Sequence, residues 1–283
     1  MKIVVTGANG QLGRDLVRRL SAEHKVYGFG REALDVRDPD ACRDVLRRVR
    51  PDVVVHAAAY TAVDRAESEP DEAFRVNADG TRNVAAAAEE VGAKLCYIST
   101  DYVFDGRKGR PYDEYDDTNP VNVYGRSKRA GEWFVQALCR KFFIVRTAWV
   151  YGAHGQNFVK TMLRLARERD VIRVVDDQIG SPTYTVDLAD FLARLVVTDR
   201  YGIYHATNAG SCSWYEFAKA IFEEAGLHVR VEPCTTDEFP RPAPRPKYSV
   251  LDHMAIRTNG FPDLRHWREA LKEFFKESRM HEK

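Results

Sequence analysis

Short apolar runs alternate with longer amphipathic stretches through the first half of the chain. The apolar runs fall at 2–6, 25–29, 53–56, 94–99 and 142–147, and the amphipathic ones at 11–22, 39–49, 71–91 and 121–140. Short runs that are apolar almost throughout suit strands buried on both faces. Apolar residues three and four apart suit helices laid over such strands. Strict alternation of the two predicts a parallel sheet, and right-handed crossovers make it doubly wound.

Beyond residue 150 the rhythm loosens. The pattern predicts a helix over 157–170, a strand over 171–175, a helix over 186–198 and a strand over 201–206. A further helix over 213–225 has Ser213 at its N-cap and Glu216 at the capping-box position. Four prolines crowd into 239–247, which predicts an extended loop rather than a central strand or helix. A last helix is expected from about 264 to 278. The fold class is therefore α/β: a doubly wound, Rossmann-like parallel sheet with a smaller, interleaved C-terminal substrate domain. Residues 1–150 form the expected dinucleotide-binding unit, which also receives part of 183–206, and 151–283 form mainly the substrate-binding region.

Composition narrows the function classes. The chain of 283 residues carries a formal charge of +1, which gives no global field for a phosphate backbone or an anionic membrane. The N-terminal apolar run is too short for a signal core, and no run approaches the roughly 20 residues that span a bilayer. Five cysteines, none in a C-x-x-C pair, read as reduced structural thiols. The expectation is a cytoplasmic protein without nucleic-acid or membrane partners.

Three motifs carry chemistry. Gly7-Ala8-Asn9-Gly10-Gln11-Leu12-Gly13 directly follows the first strand and opens a helix. Glycines there permit a tight turn, close backbone approach to a pyrophosphate and close helix–strand packing, and the helix N-terminus supplies free N–H groups. Tyr124-Gly125-Arg126-Ser127-Lys128 places a phenol and an ammonium one helical turn apart. A neighbouring cation stabilises phenolate and makes the phenol a usable acid–base group. Thr100 stands at the end of the fourth strand, where ligands of open α/β sheets bind, and its hydroxyl can hydrogen-bond a carbonyl oxygen. His56 reads as a strand-end packing residue rather than a base.

The G-x-x-G-x-x-G spacing together with Y-x-x-x-K resembles the extended branch of the short-chain dehydrogenase/reductase superfamily. The stretches 62–70, 99–106, 122–125, 146–152 and 177–183 narrow the resemblance to the dTDP-4-dehydrorhamnose reductases, and 241–251 also looks like that family. The resemblance implies reduction of the C4 ketone of dTDP-4-dehydro-L-rhamnose by NADPH, the last step of dTDP-rhamnose synthesis. Tyr124 would then give the proton, Lys128 would hold the nicotinamide ribose, and Thr100 would complete the triad. Ala57, Ala59, Tyr60 and Thr61 resemble the strand end that lies along the cofactor, and Asn77 a helix position beside it. Asp35 and Val36 match an adenine-contact pair, Asp101 a substrate contact, and Trp149 a tryptophan that stacks on the substrate. The second strand ends in Gly30-Arg31 where NAD-selective sites place a carboxylate, so Arg31 predicts a modest preference for NADPH, with NADH still usable. Arg241, Arg245 and Lys247 are candidate partners of the substrate diphosphate.

Some family members bridge a dimer through magnesium held by glutamates. This chain has Asp15 and Val186 at the matching places, so no metal is expected, and the assembly is a monomer or homodimer. Two other classes stay open. One is an NADP-binding regulatory subunit resembling the methionine adenosyltransferase β subunit. The other is a sugar-nucleotide epimerase or dehydratase of the extended branch.

Overall fold

The structure is a computed structural model that describes residues 1–281. Five strands, β1 (Lys2–Thr6), β2 (Lys25–Phe29), β3 (Val53–His56), β4 (Lys94–Thr100) and β5 (Phe142–Thr147), join Gly202–His205 in one six-stranded sheet. Its order is Gly202–His205, β5, β4, β3, β1, β2, and every pairing is parallel. The strand order reverses between β1 and β3, and the loops after those two strands open the crevice where such sheets bind ligands.

Helices cover both faces. Helix α1 (Gln11–Ser21) packs with Thr185–Val196 on one face, over a core that includes Ile3, Val5, Leu16, Val53, Phe143 and Leu192. Helix α2 (Pro39–Val49), Gly80–Glu90 and Val123–Leu138 cover the other, over Val4, Leu46, Val54, Val84, Leu95 and Ile144. Successive residues of a buried strand feed opposite cores, which is why these strands read as unbroken apolar runs.

The remaining chain builds a separate core under the strand ends. Phe158–Leu165, Trp214–Ala225 and Trp267–His281 pack around Tyr151, Met162, Phe217, Leu271 and Phe274. Ser213 caps the middle helix, and the full capping box with Glu216 is present. Segment 183–206 leaves this region: its helix lies on α1 and its strand extends the main sheet.

Three expectations change. The helix expected over 71–91 is two α-helices, Pro70–Phe74 and Gly80–Glu90, joined by a π-helical turn at Arg75–Asp79. The helix expected over 157–170 is the shorter Phe158–Leu165, because the polar residues that follow make turns before the next strand. An unforeseen strand, Arg230–Cys234, pairs in parallel with Val171–Val175. Its Pro233 is tolerated because a two-stranded ribbon leaves one edge free of ladder bonds.

Candidate active site

The glycine loop turns between β1 and α1. Gly7 has φ +66°, and a Cβ there would lie 2.7 Å from the Ala58 backbone nitrogen, so the loops after β1 and β3 meet only across a glycine. A Cβ on Gly13 would lie 2.1 Å from the Gly7 carbonyl oxygen. The N-cap of α1 is Gly10, which supplies no side-chain acceptor, and the first turn carries no acid. The first N–H groups of α1 are therefore left for an anion.

Two adjoining cavities of about 560 and 610 Å³ share Gly7, Gly10, Ala57 and Ala59. The first runs past Arg31, Asp35, Val36 and Tyr60. The second takes in Gln11, Leu12, Gly13 and Thr61 and ends among Thr100, Asp101, Tyr124, Lys128 and Trp149. Together they form a groove across the switch point, with a glycine cradle at its middle. Its residues fit a nicotinamide dinucleotide.

Details at the outer end qualify individual expectations. Arg31 is exposed, 3.9 Å from Glu72. Asp35 is clamped by Arg37, whose guanidinium approaches it to 2.6 Å, and this holds the carboxyl below its usual range. Gln11 donates from its amide to the Val150 carbonyl at 3.1 Å and accepts from Asn157 at 2.7 Å. Asn77 lines neither cavity. Its amide is saturated by the Tyr60 N–H, the Tyr60 carbonyl and Ser127 at 2.8, 3.0 and 2.9 Å, so it braces the wall from behind.

Helix Val123–Leu138 delivers Tyr124 and Lys128. Asn122 caps it, accepting from the Gly125 N–H at 2.7 Å, and its own amide is anchored on the Pro244 carbonyl at 2.8 Å. The Thr100 hydroxyl donates to Asp101 at 3.1 Å and acts on the neighbouring Tyr124 phenol. Burial pushes the Tyr124 phenol up to about 12, with Thr100 pulling it down and Asp101 adding to the rise. Lys128 donates from Nζ to the Ile98 carbonyl at 2.7 Å and lies 4.2 Å from the Tyr97 ring centre. Burial draws its ammonium down to about 7. The expected lowering of the phenol by Lys128 is not among the influences on Tyr124; the lysine charge bears on His56 instead.

Asp101 is buried, and one of its carboxylate oxygens has no partner among the described residues. Burial lifts its carboxyl to about 7. His56 is held between two hydroxyls, Thr6 at 2.7 Å on Nδ1 and Thr81 at 3.1 Å on Nε2. Because Thr81 donates to the Asn77 carbonyl, its oxygen accepts from Nε2, which leaves Nδ1 as acceptor. With protonation suppressed to about 3, this histidine is neutral.

Trp149 adopts φ +47°, a left-handed conformation uncommon outside glycine. Trp214 stacks on it with ring centres 3.4 Å apart and planes at 8°. Gly180 makes room for the indole, since a Cβ there would lie 2.5 Å from Trp149 Cε2. Trp214 also lines the inner cavity and was not singled out in the sequence, where it reads only as the first residue of a helix. Of the three basic candidates, Arg245 and Arg241 are engaged by Asp64 at 2.9 and 3.4 Å. Arg245 also acts on Tyr102, which lines the inner cavity. Among the described residues no cluster of candidate metal ligands occurs, and no helix is long and apolar enough to cross a membrane.

A parallel sheet with this glycine turn, and a Thr–Tyr–Lys set beyond its strand ends, defines a nicotinamide-dinucleotide-binding fold of the extended short-chain dehydrogenase/reductase type. Residues 1–280 match the family model described as RmlD substrate binding domain. The chain is 50% identical to dTDP-4-dehydrorhamnose reductase of Streptomyces griseus, over 96% of this chain and 92% of that protein. It is 46% identical to spore coat polysaccharide biosynthesis protein SpsK of Bacillus subtilis, over 98% and 97%. A crystal structure of dTDP-4-dehydrorhamnose reductase from Bacillus anthracis in complex with NADP superposes with a TM-score of 0.96 at 51% identity, covering 98% of this chain and 99% of that one. The chain belongs to the dTDP-4-dehydrorhamnose reductase family.

Proposed function

We propose that this chain reduces the C4 ketone of dTDP-4-dehydro-L-rhamnose to give dTDP-L-rhamnose, with NADPH as reductant. The observation that carries the reading is the meeting of Thr100, Tyr124 and Lys128 at the inner end of the groove that begins at the glycine turn. Family membership supports the sugar-nucleotide substrate.

NADPH, when bound, supplies the hydride that reaches the sugar carbon. The first turn of α1 would take the pyrophosphate, and Arg31 would meet the 2′-phosphate as an exposed cation. The Arg37–Asp35 clamp removes Asp35 as a repelling charge beside it. At the other end Thr100 and Tyr124 converge on the ketone oxygen. The phenol is fully protonated at neutral pH, as a proton donor must be, and gives its proton to the oxygen as negative charge develops there. Lys128, one helical turn away, would meet the ribose. The unpartnered oxygen of Asp101 takes a sugar hydroxyl, and the Trp149–Trp214 pair walls the sugar ring.

The test is to generate the ketosugar with its 3,5-epimerase, add NADPH and this protein, and follow the reduced-nicotinamide absorbance. Absorbance falls in step with ketosugar consumed if the reading is right. A constant absorbance with correctly folded protein overturns it.

A further inference from the structure

One turn beyond Lys128 the same helix carries Glu132, and the two are buried together with Arg146 of β5. Three ionised side chains in one dry layer are costly unless each is paired and hydrogen-bonded. Glu132 meets that condition in full. Arg146 grips it with Nε at 2.9 Å and the second guanidinium nitrogen at 2.8 Å, and Ser99 donates to it at 2.6 Å. The third nitrogen of Arg146 faces His205 Nε2 at 3.3 Å. His205 Nδ1 sits against two carbonyls, those of Tyr112 and Asp252, so it carries the proton and Nε2 accepts from Arg146.

This network ends at the catalytic strand. The Ile98 carbonyl accepts from the Lys128 ammonium, the Ser99 hydroxyl donates to Glu132, and the next residue is Thr100. Lys128 and Glu132 thus grip two consecutive residues of β4 from one helix face.

The groups facing Lys128 are His56 from β3, Tyr97 from β4, and Tyr124 and Glu132 from its own helix. His56 is neutral, and burial keeps both phenols protonated. Glu132 is faced by Arg146 from β5, by Arg129 at 3.9 Å from its own helix, and by Tyr97 from β4. Among the described residues, Glu132 is the one negative charge acting on Lys128, and it opposes the effect of burial.

We propose that Glu132 is a positioning residue for the reduction: its buried carboxylate, held by Arg146 and Ser99, ties the helix face that carries Lys128 to the strand end that presents Thr100. This rests on the roles given to Tyr124 and Lys128 above. An ion pair that only stabilises the fold would have no effect on the lysine's titration.

The sign of the effect separates the two. Lys128 works as an ammonium, so activity falls as pH rises through its pKa. Glu132→Gln removes the attraction that favours the ammonium, so the alkaline limb of kcat moves to lower pH. Arg146→Met leaves the Glu132 carboxylate buried without its cation, so it takes up a proton and the limb moves to lower pH, as in Glu132→Gln. Glu132→Asp, which keeps the charge, restores the limb toward wild type. The same limbs are read in NADPH affinity by cofactor fluorescence with no sugar present. Wild type that binds NADPH with this pH dependence but does not reduce the ketosugar defeats the reductase reading alone. Unmoved limbs, or a limb that Glu132→Asp does not restore, overturn the positioning role. Failure of both variants to fold also overturns it, assigning the pair to stability.

Discussion

At the glycine-loop end of the groove the wall is backbone and water-facing charge, whereas at the Tyr124 end it is buried side chains. Gly7, Gly10 and Gly13 act by what they lack, leaving N–H groups and space, and Arg31 stands in solvent. Thr100, Asp101 and Lys128 are all buried, each tied to a neighbouring group along the strand end or its turn. A pyrophosphate is already an anion and needs only oriented donors. A ketone becomes an anion only during reaction, so the groups that meet it must be fixed in advance in a dry site. Substitutions should therefore act differently at the two ends.

The largest effect is expected at the inner end. Tyr124→Phe keeps the ring but removes the proton, so kcat falls roughly 10²- to 10⁴-fold while NADPH affinity stays near wild type. Steady-state kinetics alongside cofactor titration check both halves, and an equal loss of binding would erase the distinction between the ends. At the outer end, Gly13→Ala drives a methyl into the Gly7 carbonyl, 2.1 Å away. Overpacking of that kind costs about 1–3 kcal/mol and displaces the loop, so NADPH affinity drops with stability. Calorimetric titration and thermal unfolding read the two; unchanged affinity would mean that the cradle is not where the cofactor lies.

Asp101 sharpens the comparison through pH. Its folded pKa, lifted to about 7 by burial, lies above that of the unfolded chain, so it contributes stability in acid that is lost as pH rises through about 7. Each tenfold difference in proton affinity between the folded and unfolded chain corresponds to about 1.4 kcal/mol. Urea unfolding between pH 5 and pH 8 should show wild type losing stability relative to Asp101→Asn as pH rises. Parallel declines in both proteins would contradict the burial argument. The smallest effect belongs to Arg31→Ala. An exposed charge pair is worth about 0.2–1 kcal/mol, so the preference for NADPH over NADH should shrink by no more than roughly fivefold. A ratio of kcat/KM that does not move would remove Arg31 as the selector.

What could be read from sequence follows the same divide. The glycine turn, the strand ends and the Tyr124–Lys128 spacing are local, and local periodicity exposed them. Trp214, Glu132 and Arg146 escaped because their meaning lies in partners far along the chain: Trp214 is a helix-start residue until folding stacks it on Trp149. Asn77 was expected in the cofactor wall and sits behind it. It lies in the π-helical turn Arg75–Asp79, which adds a residue to the turn and shifts the side-chain phase from the ordinary 3.6-residue repeat. Lys128 was expected to tune the phenol, and here burial governs both groups, which spacing alone does not reveal.

The most direct test of the account is to follow the label. NADPH carrying deuterium at both positions of nicotinamide C4 is incubated with dTDP-4-dehydro-L-rhamnose and the wild-type protein, and the sugar product is examined by mass spectrometry and NMR. The account predicts one deuterium per product molecule, located on sugar C4, with one NADPH oxidised for each. Sugar product without deuterium, or isomerised sugar with no net oxidation of NADPH, would contradict it.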